Sequence, residues 1–144
     1  MILIVESGST KTAWRLIKDP ASAYESFSSP GINPYYQNTD EITAAQASVL
    51  AGFTGLPIQA IYYYGTGVTG EAQCEVIAAA FRPYFPNTCS LEIQNDLIAA
   101  ARSLCGKEAG IACMAFFTVH GYHGIKSRSI GKTKFSGILN SSIQ

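Results

Sequence analysis

The chain opens on an unbroken aliphatic run, Ile2-Leu3-Ile4-Val5, which predicts a strand covered on both faces. Ser7-Gly8-Ser9 interrupts the run. Residues 12–17 resume it with Trp14, Leu16 and Ile17, and Asp19-Pro20 closes the segment. Two strands around a short polar turn predict a hairpin. In residues 21–28, Ala23, Glu25 and Phe27 alternate with Tyr24 and Ser26, the pattern of a third strand. Ser29-Pro30-Gly31-Ile32-Asn33-Pro34 holds nothing suited to a helix interior and reads as a loop.

Asn38, with Glu41 three residues on, resembles a capping box. It opens a helix to near residue 51 with Ile42, Ala45, Val49 and Phe53 along one side, stopped by Gly52 and Gly55. Pro57 precedes a β-rich strand over 58–64, which Gly65-Thr66-Gly67 breaks. Residues 71–84 read as a helix, with Val76, Ala80 and Phe81 at helical spacing and Pro83 and Pro86 at its close. A short strand follows over 89–93. Asn95 caps a helix over 96–104, Gly106 ends it, and 109–115 is a further buried strand. The order β-β-β-α-β-α-β-α-β predicts an α/β fold around one mixed, twisted sheet covered by helices. Its first strands pair antiparallel, and its later strands run parallel through right-handed crossovers. After Phe117 the pattern dissolves into scattered glycines among Ser, Lys and Arg.

The length, 144 residues, suits one domain, and 47% apolar with 14% charged residues excludes wholesale disorder. Ten basic and ten acidic residues point to neither a nucleic-acid nor an acidic partner. The longest uncharged, mostly apolar run, 109–119, falls short of the about 20 residues that cross a bilayer. No basic stretch precedes the opening apolar run, so no secretory leader is expected and the protein is placed in the cytoplasm. Cys74, Cys89, Cys105 and Cys113 form no C-x-x-C pair and read as reduced, buried thiols. Residues 1–108 hold six basic and ten acidic side chains; residues 109–144 hold four basic, no acidic, and both histidines.

Four segments carry candidate chemistry. Glu6-Ser7-Gly8-Ser9-Thr10-Lys11-Thr12 is a small, polar turn between buried strands. Its backbone N–H groups, hydroxyls and lysine are potential donors to phosphate oxygens, and its acid a potential Mg²⁺ ligand. An ordinary hairpin has the same composition. Asn95-Asp96 places a carboxylate where a strand meets a helix, a position for a general base and equally for an acid that complements the helix dipole. The segment from Pro30 to Tyr36 offers an amide and phenols, and Gly65-Thr66-Gly67 offers backbone donors and a hydroxyl; both suit a polyol, and both suit a plain turn. Gly131-Lys132-Thr133 lacks the upstream glycine of a phosphate-binding P-loop, since Lys126 stands there. His120 and His123 have no cysteine nearby and do not make a metal site.

In combination, Ile2 through Trp14, Ser29-Pro30-Gly31-Ile32-Asn33-Pro34, Tyr62-Tyr63-Tyr64-Gly65, Asn95-Asp96-Leu97 with Ala99-Ala100-Ala101-Arg102, and Gly110-Ile111-Ala112-Cys113 resemble a known family. It is that of the bacterial N-acetylglucosamine kinase-like proteins. They belong to the BadF/BadG/BcrA/BcrD-type ATPases within the actin-like, ribonuclease H-fold sugar kinases. The resemblance covers residues 1–114. It implies ATP and Mg²⁺ as cofactors and an amino sugar as substrate. Gly8, Ser9, Thr10, Lys11 and Thr12 would cradle the ATP phosphates and Glu6 would hold the Mg²⁺. Asp96 would deprotonate the sugar hydroxyl, and Asn33, Gly65, Thr66 and Gly67 would line the sugar pocket.

The sequence also departs from that pattern. Glu6 and Ala13 stand where the family carries aspartates. Cys113 runs into Met114-Ala115-Phe116-Phe117 instead of a second phosphate turn of Gly-Thr-Gly-Ser type. Residues 1–115 are therefore expected to form an N-terminal lobe, with 116–144 a non-homologous, basic, Gly/Ser-rich ending of the kind a shifted frame produces. The resemblance then implies a lobe that is catalytically silent by itself. The alternative is a non-catalytic remnant or binding module that associates with its own copies or with a chain supplying the other lobe. An electron-transfer ATPase of the same family needs closely spaced cysteines for its iron–sulfur cluster, which this chain lacks.

Overall fold

The computed structural model describes residues 1–19, 21 and 23–105. The strand expected at 109–115, the boundary at 115/116, both histidines and the basic ending lie outside the described residues. The elements are β1 (Ile2–Ser7), β2 (Lys11–Ile17), β3 (Glu25–Pro30), α1 (Thr39–Phe53), β4 (Ala60–Gly65), α2 (Glu71–Phe81), a 3₁₀ turn (Arg82–Tyr84), β5 (Ser90–Asn95) and α3 (Asp96–Cys105).

The five strands form one sheet in the order β3-β2-β1-β4-β5. β1 pairs antiparallel with β2, and β2 antiparallel with β3. β4 lies parallel to β1 on its other side, and β5 parallel to β4. This is the mixed α/β sheet that the hydrophobic pattern predicts. Tight turns allow antiparallel neighbours, while α1 and α2 supply the long crossovers that parallel neighbours require.

One face of the sheet carries the core. Leu3 and Val5 of β1, Trp14 and Leu16 of β2, and Ile61 and Tyr63 of β4 are buried beneath α1 and α2. Trp14 is the hub: its ring lies 5.7 Å from Phe53 of α1 and 5.6 Å from Phe81 of α2, and its indole N–H donates to Ser29 Oγ at 2.7 Å. On the opposite face, Arg102 of α3 donates to the Tyr64 hydroxyl at 2.6 Å and to Glu92 at 2.7 Å.

Several boundaries differ from the sequence reading. β3 begins at Glu25 and runs on through Ser29 and Pro30, which were expected to be loop. As an edge strand it tolerates proline at its end, because no ladder bond beyond it requires the missing N–H. α1 continues through Gly52 to Phe53, and the left-handed residue is Gly55, at φ 80°. Its buried residues are Ile42, Gln46, Leu50 and Phe53; Ala45 is exposed. Between Ile42 and Phe53, Gln46 and Leu50 take the buried places expected of Ala45 and Val49. β5 covers 90–95, not 89–93, since it matches β4 rung for rung from Ala60↔Ser90 to Gly65↔Asn95.

The Asn38 capping box forms as expected. Asn38 Oδ1 accepts from Glu41 N at 2.9 Å, and Glu41 Oε2 accepts from Asn38 N at 2.9 Å. Asn38→Ala is expected to cost about 1 kcal/mol, read as a lower urea midpoint at unchanged m-value.

Candidate functional site

The three parallel strands end on one rung: Ser7, Gly65 and Asn95 are successive partners. With strands about 4.8 Å apart, Ser7 and Asn95 lie about 10 Å from each other. Asp96 follows Asn95 directly and begins α3. Every described turn that the sequence singled out therefore meets at the carboxyl end of the sheet, where α/β folds bind ligands.

Between β1 and β2 the Gly8 N–H donates to Lys11 O at 2.9 Å, leaving Ser9 and Thr10 at the hairpin tip. Gly8, Ser9, Thr10 and Lys11 are all exposed. Thr12 points the other way, a correction to its expected role at the phosphates. It is 0% exposed, lies 2.6 Å from Ser7 Oγ, and donates to Pro30 O at 2.9 Å. It braces the root of the turn.

The root is knitted to the following loop. The Ile32 N–H donates to Ser7 Oγ at 2.9 Å. Gly31 lies so close to the backbone of Gly8 and Ser9 that any side chain there would overlap them. On its far side, Asn33 packs against Gly67, which sits at φ 76° and whose Cβ would overlap the Asn33 amide. Asn33 Oδ1 accepts from Tyr35 N at 3.1 Å, and Thr66 N donates back to Ser7 O at 3.0 Å. Asn33, Gly65, Thr66 and Gly67 are thus one cluster beside the hairpin tip. Asn95 closes it: its Oδ1 accepts from Leu97 N at 2.9 Å as the cap of α3, and its Nδ2 donates to Val68 O at 3.0 Å.

Glu6 lies on the opposite face of β1, exposed, with its carboxylate 3.1 Å from Arg15 Nη1. An exposed pair of this kind contributes about 0–1 kcal/mol, so a cation can draw the carboxylate away at little cost. Among the described residues, no group of three or more His, Cys, Asp or Glu side chains is placed to hold a metal. That donor set fits only a cation bound chiefly by phosphates and water, which is the habit of Mg²⁺.

Two buried groups carried no signal that the sequence reading used. Gln46 is 1% exposed; its Nε2 donates to Pro30 O at 3.0 Å, and its Oε1 has no partner. An orphaned buried acceptor costs about 1–3 kcal/mol, more than the about 0.5–1.5 kcal/mol of one hydrogen bond, so Gln46 does not stabilise the fold relative to an apolar residue. Its spacing, four residues from both Ile42 and Leu50, was the available clue. Tyr63 leans over Gly65, where any side chain would strike its ring and hydroxyl. The hydroxyl comes near Ser7 but makes no hydrogen bond of good geometry. Burial, and secondarily the charge of Asp96, push its pKa well above the tyrosine range.

A cavity of about 310 Å³ lies elsewhere, between α2 and β5, lined by Ile61, Cys74, Phe81, Phe85, Leu91 and Ile93 among others. Its lining mixes these apolar side chains with Glu75, Arg82 and Asn87 and gathers none of the candidate groups. The chemistry sits at the open sheet end.

No protein-family profile and no curated protein matches the chain. A solved structure does: the crystal structure of the "Putative N-acetylglucosamine Kinase" from Porphyromonas gingivalis is 40% identical over 74% of this chain, with a TM-score of 0.65. Over that shared part the chain is similar to an N-acetylglucosamine kinase-like protein. It spans 38% of that neighbour's length. The five-stranded mixed α/β sheet is consistent with the actin-like, ribonuclease H-like lobe that the resemblance implies. Among the described residues, no helix is long and apolar enough to cross a membrane.

Tyr63 gives an alkaline signature for this kinase-like lobe. In the unfolded chain its phenol ionises near about 10, whereas in the folded chain it stays protonated beyond that. The unfolded state then binds fewer protons, so stability present below pH 10 is lost as pH rises further. Tyr63→Phe is expected to resist alkaline unfolding better than the wild type, measured by circular dichroism between pH 9 and 12.

Proposed function

We propose that the chain forms the phosphate-and-sugar half of an ATP-dependent amino-sugar kinase, with N-acetylglucosamine as the acceptor. The observation that carries this reading is the gathering of the exposed hairpin tip, the Asn33–Gly67 cluster and Asp96 around one rung of the sheet. The kinase-like neighbour supports it.

In this reading Gly8, Ser9, Thr10 and Lys11 hold the ATP phosphates through backbone N–H groups, two hydroxyls and one ammonium. Glu6 exchanges Arg15 for Mg²⁺, which neutralises phosphate charge when bound. Asn33 offers its amide, and the Gly65–Gly67 turn its backbone and the Thr66 hydroxyl, to the hydroxyls of the sugar. Asp96 accepts the proton of the attacking hydroxyl. Phosphoryl transfer depends chiefly on positioning and charge, and one general base contributes about 10²–10⁴ in rate.

In this reading the described residues supply one side of the phosphate cradle. We therefore expect the 144-residue chain to bind without efficient turnover, because transfer also requires groups that close over the nucleotide and exclude water. A second reading is a binding module completed by another chain. It is favoured, among the described residues, by a half-covered sheet face bearing Ile2, Ile4, Ile17 and Tyr62, and by the exposed strand residues 25–28. An apparent molar mass from light scattering that rises with concentration would support it.

Titration calorimetry of the chain with N-acetylglucosamine and with Mg-ATP tests the main reading. Heat is expected from both, and Asn33→Ala is expected to weaken the sugar by about tenfold or more, the scale of one lost hydrogen bond to a buried partner. Absence of heat from both ligands contradicts the reading.

A further inference from the structure

We infer that Gln46 of α1 is a positioning residue that sets the conformation of the phosphate turn, through buried hydrogen bonds on either side of Gly31, whose backbone abuts Gly8 and Ser9. The assignment of the turn to phosphate rests on the function proposed above; the control of its shape by Gln46 does not.

These bonds can be followed atom by atom. Gln46 Nε2 donates to Pro30 O at 3.0 Å, and Thr12 Oγ1 donates to the same oxygen at 2.9 Å. Each hydroxyl has one proton. With the proton of Thr12 committed to Pro30, the 2.6 Å contact between Ser7 and Thr12 carries the proton of Ser7. Ser7 Oγ in turn accepts from Ile32 N at 2.9 Å. The bonds run in one direction, from the Ile32 amide through both hydroxyls to Pro30 O, and such chains polarise one another in a low-dielectric interior. They bracket Gly31, which abuts the backbone of Gly8 and Ser9. The position of the Pro30 carbonyl therefore decides where Gly31 presses on the turn, and Gln46 holds that carbonyl from the helix side.

Stability does not account for Gln46. Its Oε1 is left without a partner, and its neighbours on the buried stripe, Ile42 and Leu50, are aliphatic. Methionine has nearly the same shape without the polar atoms, so Gln46→Met removes the hydrogen bond while preserving the packing. Glutamate preserves shape too, but it can donate to Pro30 O only when protonated, and burial raises the pH at which it protonates.

The experiment is site-resolved amide hydrogen exchange on the full chain. In Gln46→Met, protection of the Ile32 and Gly8 amides is expected to fall at least tenfold, while the β1–β4 ladder and the urea midpoint keep their wild-type values. In Gln46→Glu the same protection factors are expected to recover as pH is lowered toward about 5. Affinity for Mg-pyrophosphate is expected to fall about tenfold in Gln46→Met. Unchanged protection at Ile32 and Gly8 overturns the inference. So does a loss of protection spread evenly over the sheet with a lower midpoint, which would mark Gln46 as merely structural. If the wild-type chain binds no pyrophosphate, the phosphate reading fails, and the exchange pattern still decides the role of Gln46.

Discussion

Gly31 and the Gly8–Ser9 backbone occupy adjoining space with no room for a Cβ between them. That contact joins a hairpin to a loop more than twenty residues away, and the rest of the site is built outward from it. The loop reaches this position only because β3 carries Pro30 to the level of Lys11 on the sheet edge. From there Asn33 meets Gly67, and Thr66 returns to Ser7. Three turns from distant parts of the chain become one surface through close backbone contact and a few buried hydroxyls.

Burial and exposure divide the labour within the hairpin. Ser7 and Thr12 spend their hydroxyls on each other and on the loop, whereas Ser9, Thr10 and Lys11 remain in solvent. The strand period of two accounts for the division: Ser7 and Thr12 share the face of Val5 and Trp14, beneath the helices. Glu6 falls on the other face by the same rule, beside Arg15. A residue-type reading of the segment treats all its polar groups alike, and only the alternation separates those that brace the turn from those free to meet a ligand.

Much of the fold was legible because its signals are local and strong. The aliphatic opening run, the Asn38–Glu41 box and the Asn95 cap each form where residue chemistry places them. The family resemblance added the grouping of segments that no local signal links. What escaped were the features set by tertiary contact. Gln46 is polar on a core stripe, Tyr63 fills the space that Gly65 leaves, and β3 extends through a proline that reads as a loop. In each case a neighbour distant in sequence decides the outcome.

The central claim is that the ends of β1, β4 and β5 form a single ligand surface. Amide chemical-shift mapping of the chain, titrated with a Mg-bound non-hydrolysable ATP analogue and N-acetylglucosamine, tests it most directly. The account requires shifts at Gly8 to Lys11 with the nucleotide, at Asn33 and Gly65 to Gly67 with the sugar, and at Asp96 with both. Shifts confined instead to the cavity between α2 and β5, or scattered over the sheet without a focus at those strand ends, would contradict it.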